Sequence, residues 1–231
     1  MGRLFLCCLA SSFLLTFAFF APLLGETPEP KPKSPARLSD DVEVPGRIPT
    51  NTGSELQITV KVYNSSNVLA RDLTNAEAQA ETIFQKAGIK VIWVAGLMVS
   101  DVNDGSAGNQ WNPAHIHVRL WTRSTARPKV VASDTLGFCL SMEKSQAVVL
   151  SDAVQNLAAR RFTNPANLLG LAMAHEIGHL LLRSATHSAA GIMQARWSSE
   201  DFRAAEEGLL VFTREQGRSM RNEVRRRAEM R

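Results

Sequence analysis

Two histidines and a glutamate stand close together in the second half of the chain, in the segment His175-Glu176-Ile177-Gly178-His179. On a helix, side chains four residues apart lie on the same face, one turn above the other. The two imidazoles can therefore bind one ion, and neutral imidazole is a good ligand for zinc. The glutamate points to the neighbouring side, where its carboxylate can reach a water on the ion. This spacing predicts a zinc site with Glu176 as general base.

The residues around this segment favour metal binding over a simple helix surface. Apolar residues precede it, such as Leu168 and Leu171, and Leu181 follows it. The alternative interpretation is a buried helix whose polar positions lie at a solvent edge. Burying two histidines and a glutamate without partners would be costly, and a metal ion removes that cost.

A catalytic zinc ion takes three protein ligands and keeps a fourth position open for water. His187, eight residues after His179, is the predicted third ligand. Glu200, which lies 21 residues after His179, is the alternative third ligand. Its own segment, Ser198-Ser199-Glu200-Asp201, equally matches the capped start of a helix.

From His175 to Met193 the sequence resembles the metzincin group of zinc peptidases. Their pattern, H-E-x-x-H-x-x-G-x-x-H, is followed by a tight turn that carries a methionine beneath the metal. The resemblance implies that His175, His179 and His187 bind Zn²⁺, that Glu176 is catalytic, and that Met193 occupies the methionine turn. The chain is also similar to exported bacterial proteins that carry H-E-[IL]-G-H-L-L-L and a nearby H-S-x-x-G-I-M segment.

The sequence departs from the metzincin pattern after the helix. The glycine of the pattern falls at Leu182 and the third histidine at Ala185. The turn that leads to His187 is therefore two residues longer here. The single tyrosine, Tyr63, is remote from Met193 in sequence, so the group that stabilises the tetrahedral intermediate is not identified.

The segments before the zinc helix predict a parallel crossover unit. Residues 56–63 alternate apolar and polar side chains, as in a half-buried strand. Thr74 matches a helix N-cap with Glu77 completing a capping box, and Gly88 ends that helix. Residues 89–94 form a second, more apolar strand, which we predict to be central in the sheet.

Three further strands and two helices are predicted downstream. His115 and His117 share one face of the first of these strands and are interpreted as surface or cleft residues that could contact substrate.

Asn164 as N-cap with Pro165 at the first helical position opens the zinc helix. A polar loop at 101–109 does not match the spacing of a calcium loop. The predicted segments are strands at 115–121, 135–140 and 147–150, a helix at 151–161, and the zinc helix from 165.

These elements together predict an α+β or α/β fold. It contains a twisted mixed sheet with a strand–helix–strand start, an active-site helix and C-terminal helices. The metzincin resemblance implies that this fold is zincin-like.

The N-terminus predicts export. Arg3 is followed by an almost uninterrupted apolar run up to Leu24, so residues 1–25 are interpreted as a signal peptide or an uncleaved membrane anchor. Residues 26–54 are rich in proline and charge, which is typical of a linker, with a pro-segment as the alternative. The folded domain is predicted at 55–231. Either form of the N-terminus predicts a secreted or periplasmic location.

Cysteine usage agrees with both forms of the N-terminus. Removal of a signal peptide would leave only Cys139, so no intramolecular disulfide is expected. We interpret this cysteine as a small buried apolar residue.

The formal net charge of +4 does not by itself indicate nucleic-acid binding. Much of the excess positive charge comes from the arginine-rich C-terminal segment. We interpret that segment as a solvated helix face, with a patch for anionic lipid or polymer as the alternative.

The predicted function is zinc-dependent hydrolysis of peptide bonds by a metal-activated water, with Glu176 as general base, acting on a peptide or protein substrate. The departures from the metzincin pattern motivate one alternative, a non-catalytic envelope-binding module stabilised by zinc. A cell-wall peptide amidase is the other. The protein is expected to be a monomer that meets a membrane only through the possible N-terminal anchor.

Overall fold

The computed structural model describes residues 55–96, 114–126, 132 and 134–229. The predicted signal or anchor, the linker and the polar loop at 101–109 lie outside these residues. No helix in the described part is long and apolar enough to span a bilayer. The elements, in chain order, are β1 (Gln57–Asn64), α1 (Ala70–Lys86), β2 (Lys90–Ala95), β3 (His115–Trp121), β4 (Gly137–Ser141), β5 (Gln146–Leu150), α2 (Ser151–Arg161), α3 (Pro165–Leu182), α4 (Ser199–Glu206) and α5 (Arg214–Ala228).

The strands form one mixed five-stranded sheet in the order β2-β1-β3-β5-β4. Strand β1 pairs in parallel with β2 and β3, and β3 pairs in parallel with β5. Strand β4 is the one antiparallel member of this sheet and lies at its edge, paired with β5. The mixed α/β fold and the parallel crossover from β1 through α1 to β2 are therefore confirmed.

The prediction that the second strand is central is wrong, because β2 lies at the edge opposite β4. Val91 is buried and Trp93 packs against the same core. On the other face of β2, Ile92 is 37% exposed and Val94 is 39% exposed. Only alternate side chains of this strand therefore pack against the core, and its apolar composition does not indicate a central position.

Helix α1 begins one turn earlier than the capping pattern predicted. It starts at Ala70, with Leu69 in the N-cap position and no side-chain cap, so Thr74 lies inside the helix. The side chain of Asn64 holds the preceding turn closed: its amide donates to the carbonyl of Val68 at 2.8 Å and its oxygen accepts from the Val68 N–H at 3.0 Å. This side-chain clamp spans only four residues and closes the turn just before the helix, whereas the capping pattern placed the cap at Thr74.

Helices α1 and α3 pack against each other on one face of the sheet. Of the 18 residues of α3, 15 are buried. A Cβ atom on Gly170 would lie 2.5 Å from the carbonyl oxygen of Ala76 in α1, so a glycine is required for the two helices to approach this closely. The zinc helix predicted from sequence is thus the central helix of the core.

Both ends of α3 have definite caps. At the start, the Asn164 side chain accepts from the N–H groups of Ala166 at 2.8 Å and Asn167 at 3.3 Å, and Pro165 follows it. This confirms the predicted start. At the end, Arg183 adopts a left-handed conformation with φ 50°. An arginine therefore occupies the conformation that glycine usually supplies at a helix end.

Helix α5 is tied to the rest of the core through a buried arginine. Arg227 is 3% exposed. Its guanidinium donates to the Glu223 carboxylate at 2.8 Å, to Ser145 Oγ at 2.9 Å and to the Leu180 carbonyl at 3.4 Å. The contacts join α5 to the last turn of α3 and to the turn between β4 and β5. The interpretation of the basic C-terminal segment as a solvated face is therefore wrong for Arg227.

We expect Arg227→Met to lower the free energy of unfolding by about 3 kcal/mol, because Glu223 would be left as a buried and less compensated charge. Equilibrium unfolding in urea measures this change. Arg225→Met is the matched control, since Arg225 is exposed and donates to the neighbouring Asn222. It should change stability by no more than about 0.5 kcal/mol. Equal losses in the two variants would contradict the structural role of Arg227.

Candidate metal centre

Two buried histidines of α3 face each other with their proton-free nitrogens. The Nδ1 atom of His175 lies 2.8 Å from the carbonyl oxygen of Ile192. The Nδ1 atom of His179 lies 2.8 Å from the carbonyl oxygen of Ser184. Because a carbonyl oxygen only accepts hydrogen bonds, each Nδ1 carries the proton of its ring. In the neutral rings each Nε2 then carries a lone pair and no proton. The two Nε2 atoms are 3.0 Å apart.

Two lone pairs at this distance repel each other unless a positive charge lies between them. A shared proton is disfavoured, because burial and then the neighbouring His179 lower the pKa of His175 to about 4. Burial also lowers the pKa of His179. Both rings are therefore neutral near pH 7, and the donor set fits a metal ion that accepts both lone pairs.

The structure brings His187 to the same pair. Single nitrogen atoms of His175, His179 and His187 all lie within 4.8 Å of one another. The ring centroid of His187 is 5.4 Å from that of His175 and 5.0 Å from that of His179. Among the described residues, these three histidines form the one group of at least three side chains that could hold a metal ion. Glu200 is not a member of this group.

Glu200 lies instead in the first turn of α4, where it is exposed. The Ser198 side chain accepts from the Asp201 N–H, and the Asp201 carboxylate accepts from the Ser198 N–H at 2.8 Å. This capping box accounts for the polar run in which Glu200 stands.

The loop after α3 is closed on itself and on the C-terminal region. The Ser188 N–H donates to the Met193 carbonyl at 2.9 Å, which closes the chain directly after His187. The Ile192 N–H donates to the Val211 carbonyl at 3.0 Å. Gly191 has φ +74°, and a Cβ atom there would lie 2.6 Å from that same Val211 oxygen. The longer turn still returns His187 to the helix because these backbone contacts hold it.

Met193 lies in the core against Gly178 of α3. It is buried, and a Cβ atom on Gly178 would lie 2.6 Å from its sulfur and 2.7 Å from Cε1 of Phe212. Gly178 stands between Glu176 and His179 in sequence. Because it has no side chain, the Met193 sulfur can pack directly against the backbone of α3 beside these residues. Sequence reasoning did not assign a role to Gly178, although a glycine inside a helical pattern is a usable signal.

Trp197 is a second residue that the sequence did not indicate. Its indole N–H donates to the Ile192 carbonyl at 3.1 Å, and this oxygen also accepts from His175. Its ring stands edge-on to the His175 ring, with centroids 5.8 Å apart. Trp197 therefore contacts both His175 and the carbonyl group that orients it. Backbone acceptors such as Ile192 and Ser184 have no signature in a sequence.

Glu176 is buried beside the cluster, with 5% exposure. Its Oε2 atom has no hydrogen-bond partner in the described part of the chain. Burial raises the pKa of this carboxyl to about 8. Buried polar atoms are normally paired, and an exception of this kind is typical of a functional group.

His115 and His117 are not brought to the cluster. Their neighbours Ile116 and Val118 belong to the core that contains α3, so strand alternation places both histidines on the opposite face of the sheet. His117 is 6% exposed, and its Nδ1 lies 3.0 Å from the hydroxyl of Tyr63. His117 is therefore not a surface residue, and its interpretation as a cleft residue that contacts substrate stays a prediction.

The prediction that Cys139 is a small buried residue is confirmed only in part. It is half-buried on β4 and packs against the main core, and its Sγ lies 3.8 Å from the Gln146 carbonyl.

No protein-family model matches the sequence, and no curated protein matches it significantly. Among solved structures, the chain is similar to a zinc-dependent peptidase from Methanocorpusculum labreanum (strain Z), with 12% sequence identity and a TM-score of 0.46. The match covers 70% of this chain and 99% of the other. The fold and the site described above rest on the geometry of this chain alone.

We expect His187→Ala to weaken zinc binding by more than about 100-fold, because it removes a ligand. Loss of a hydrogen-bond partner of a ligand already lowers metal affinity by roughly 10–100-fold. Metal content after dialysis and competition with a chromophoric chelator measure this. Glu200→Ala and His117→Ala are the controls, and both should keep the zinc content of the parent. Zinc lost from the Glu200 variant and kept in the His187 variant would reverse the assignment.

We expect Gly178→Ala to lower the free energy of unfolding by about 1–3 kcal/mol, because the new methyl group overpacks the core against Met193 and Phe212. Thermal or urea unfolding measures the loss. Gly217→Ala in α5 is the control, since the nearest atoms to its Cβ would be Nη1 of Arg221 at 3.2 Å and Cα and Cβ of Ala87 at 3.7 Å. Its expected change is within about 0.5 kcal/mol. A Gly178 variant as stable as the parent would show that the packing beneath the ligands is not tight.

Proposed function

We propose that this protein is a zinc-dependent peptidase. The observation that carries the proposal is the 3.0 Å contact between the two Nε2 atoms of His175 and His179. Their Nδ1 protons are committed to backbone carbonyls, so the facing nitrogens are oriented to bind one metal ion. His187 supplies a third imidazole, and three neutral imidazoles are a ligand set of catalytic zinc sites.

The three histidines would hold the ion, and the Ile192 and Ser184 carbonyls orient two of them. A bound zinc ion would polarise the substrate carbonyl and lower the pKa of a water molecule towards about 7. A set of three ligands also leaves one position of a tetrahedral ion for water or substrate.

Glu176 is the proposed general base. It follows His175 directly, so its carboxylate lies beside the cluster and is not one of its ligands. The buried carboxylate with a free Oε2 can accept a proton from the attacking water and return it to the leaving nitrogen. A neighbouring metal ion would favour the charged carboxylate that this role needs.

An extended peptide is the proposed substrate. Strand β4 is the edge of the sheet nearest to Glu176, and a Cβ atom on its Gly137 would approach the glutamate side chain to 2.7 Å. An exposed sheet edge binds extended peptides by adding them as a further strand. A peptide bound along β4 would bring its backbone towards the carboxylate and the histidines.

Export of the protein is also proposed, supported by the charged start and apolar run of residues 1–25. The mature domain would then act as a monomer in a secreted or periplasmic location.

We expect Glu176→Gln to keep one zinc ion per chain and to lower kcat/KM for peptide cleavage by at least about 10²-fold, because general acid–base catalysis contributes that much or more. A fluorogenic peptide library measures cleavage, and metal analysis measures zinc. Glu200→Gln is the matched control and should retain parental cleavage. Cleavage by the Glu176 variant at the parental rate would contradict the mechanism.

The same assays separate the alternatives. Zinc in the parent protein with no cleavage across the peptide library and peptidoglycan fragments would support a binding module. Cleavage restricted to peptidoglycan fragments would support a cell-wall amidase. Either outcome would overturn the general peptidase proposal.

A further inference from the structure

The first residue of β4 lies directly against the side chain of the proposed base. A Cβ atom on Gly137 would lie 2.7 Å from both Cγ and Oε1 of Glu176. Real Cβ atoms essentially never come so close to another heavy atom. The carboxyl therefore occupies the space that a side chain at residue 137 would fill.

Packing against β4 restrains this carboxyl. Oε2 of Glu176 has no hydrogen-bond partner in the described structure. The side chain is nevertheless buried, and helix α3 contacts β4. The close approach of the Gly137 backbone is thus a direct restraint on where the carboxyl can lie.

We propose that Gly137 is a positioning residue for Glu176, a role that rests on the proposed function of that glutamate. Because residue 137 has no side chain, the backbone of β4 lies against the Glu176 carboxyl. This contact fixes the distance between the base and the edge strand. A peptide paired with β4 would then meet the base at a set separation, since strand and carboxyl are in contact. Any larger residue at 137 would displace the base while leaving the three histidines untouched.

The competing explanation is that Gly137 serves only the sheet. A Cβ atom at 137 would also lie 2.7 Å from the Val148 carbonyl oxygen of the neighbouring β5. In that case a substitution would destabilise the strand pair irrespective of what stands at residue 176. A double-mutant cycle separates the two contacts, because it isolates the energy shared by residues 137 and 176.

The first experiment compares Gly137→Ala, Glu176→Ala and the double variant in the full-length, zinc-loaded protein. We expect Gly137→Ala to lower the melting temperature by about 5 °C, a typical cost of overpacking in a domain of this size. In the Glu176→Ala background the same substitution should cost less than half as much, because the methyl group then has space. Equal costs in both backgrounds would overturn the proposal.

The second experiment measures turnover and metal content of Gly137→Ala. Zinc stoichiometry should stay at the parental value, while kcat falls by about 10–100-fold and KM changes much less, as expected for a misplaced catalytic group. Gly170→Ala is the matched control, because its Cβ would clash with the Ala76 carbonyl in α1 at 2.5 Å. It should lower the melting temperature without lowering kcat of the folded protein. A Gly137 variant with parental kcat would overturn the proposal.

The outcomes distinguish this inference from the proposed function. If the parent protein cleaves no peptide, the peptidase proposal fails, and the thermal cycle still decides whether Gly137 positions Glu176. If Gly137→Ala does not fold, the double variant is expected to fold because the glutamate side chain is gone. A double variant that also fails to fold would assign Gly137 to the contact with Val148 and overturn the inference.

Discussion

The 3.0 Å approach of two imidazole nitrogens within the core is the constraint on which the rest of this structure depends. The Ile192 and Ser184 carbonyls hold the Nδ1 protons of His175 and His179, so both rings present lone pairs to the same point. Without a cation, this arrangement would bury two polar groups that repel each other. With a metal ion, the same carbonyls orient its ligands, as second-shell acceptors do in zinc sites.

The C-terminal third of the chain follows from this constraint. A metal ion would need its third ligand from outside the helix. The chain leaves α3 through Arg183, returns His187 to the pair, and closes at Met193. The Val211 carbonyl holds that loop from the segment after α4. Arg227 of α5 then ties the last turn of α3 to the sheet. The C-terminal helix is therefore part of the support of the site.

Glycines allow the buried helix to carry these polar groups at normal packing density. Gly170 allows α1 to approach α3, Gly178 leaves space for Met193, and Gly137 leaves space for Glu176. In each case a methyl group would meet a neighbour at 2.7 Å or less. Close-packed cores respond to changes of one methyl group, so all three positions constrain the packing around α3, and only Gly137 and Gly178 contact residues that the site uses.

The sequence by itself determined the features that depend on neighbours within a few residues: the start of α3 at Asn164, the shared face of His175 and His179, and the strand at 115–121. Their causes are local capping, helical spacing and alternation. Tertiary structure alone decided the edge position of β2, the burial of His117, the approach of His187 and the contact of Gly137 with Glu176. Those features come from backbone carbonyls and close packing between segments far apart in the chain, and neither leaves a pattern in the order of side chains.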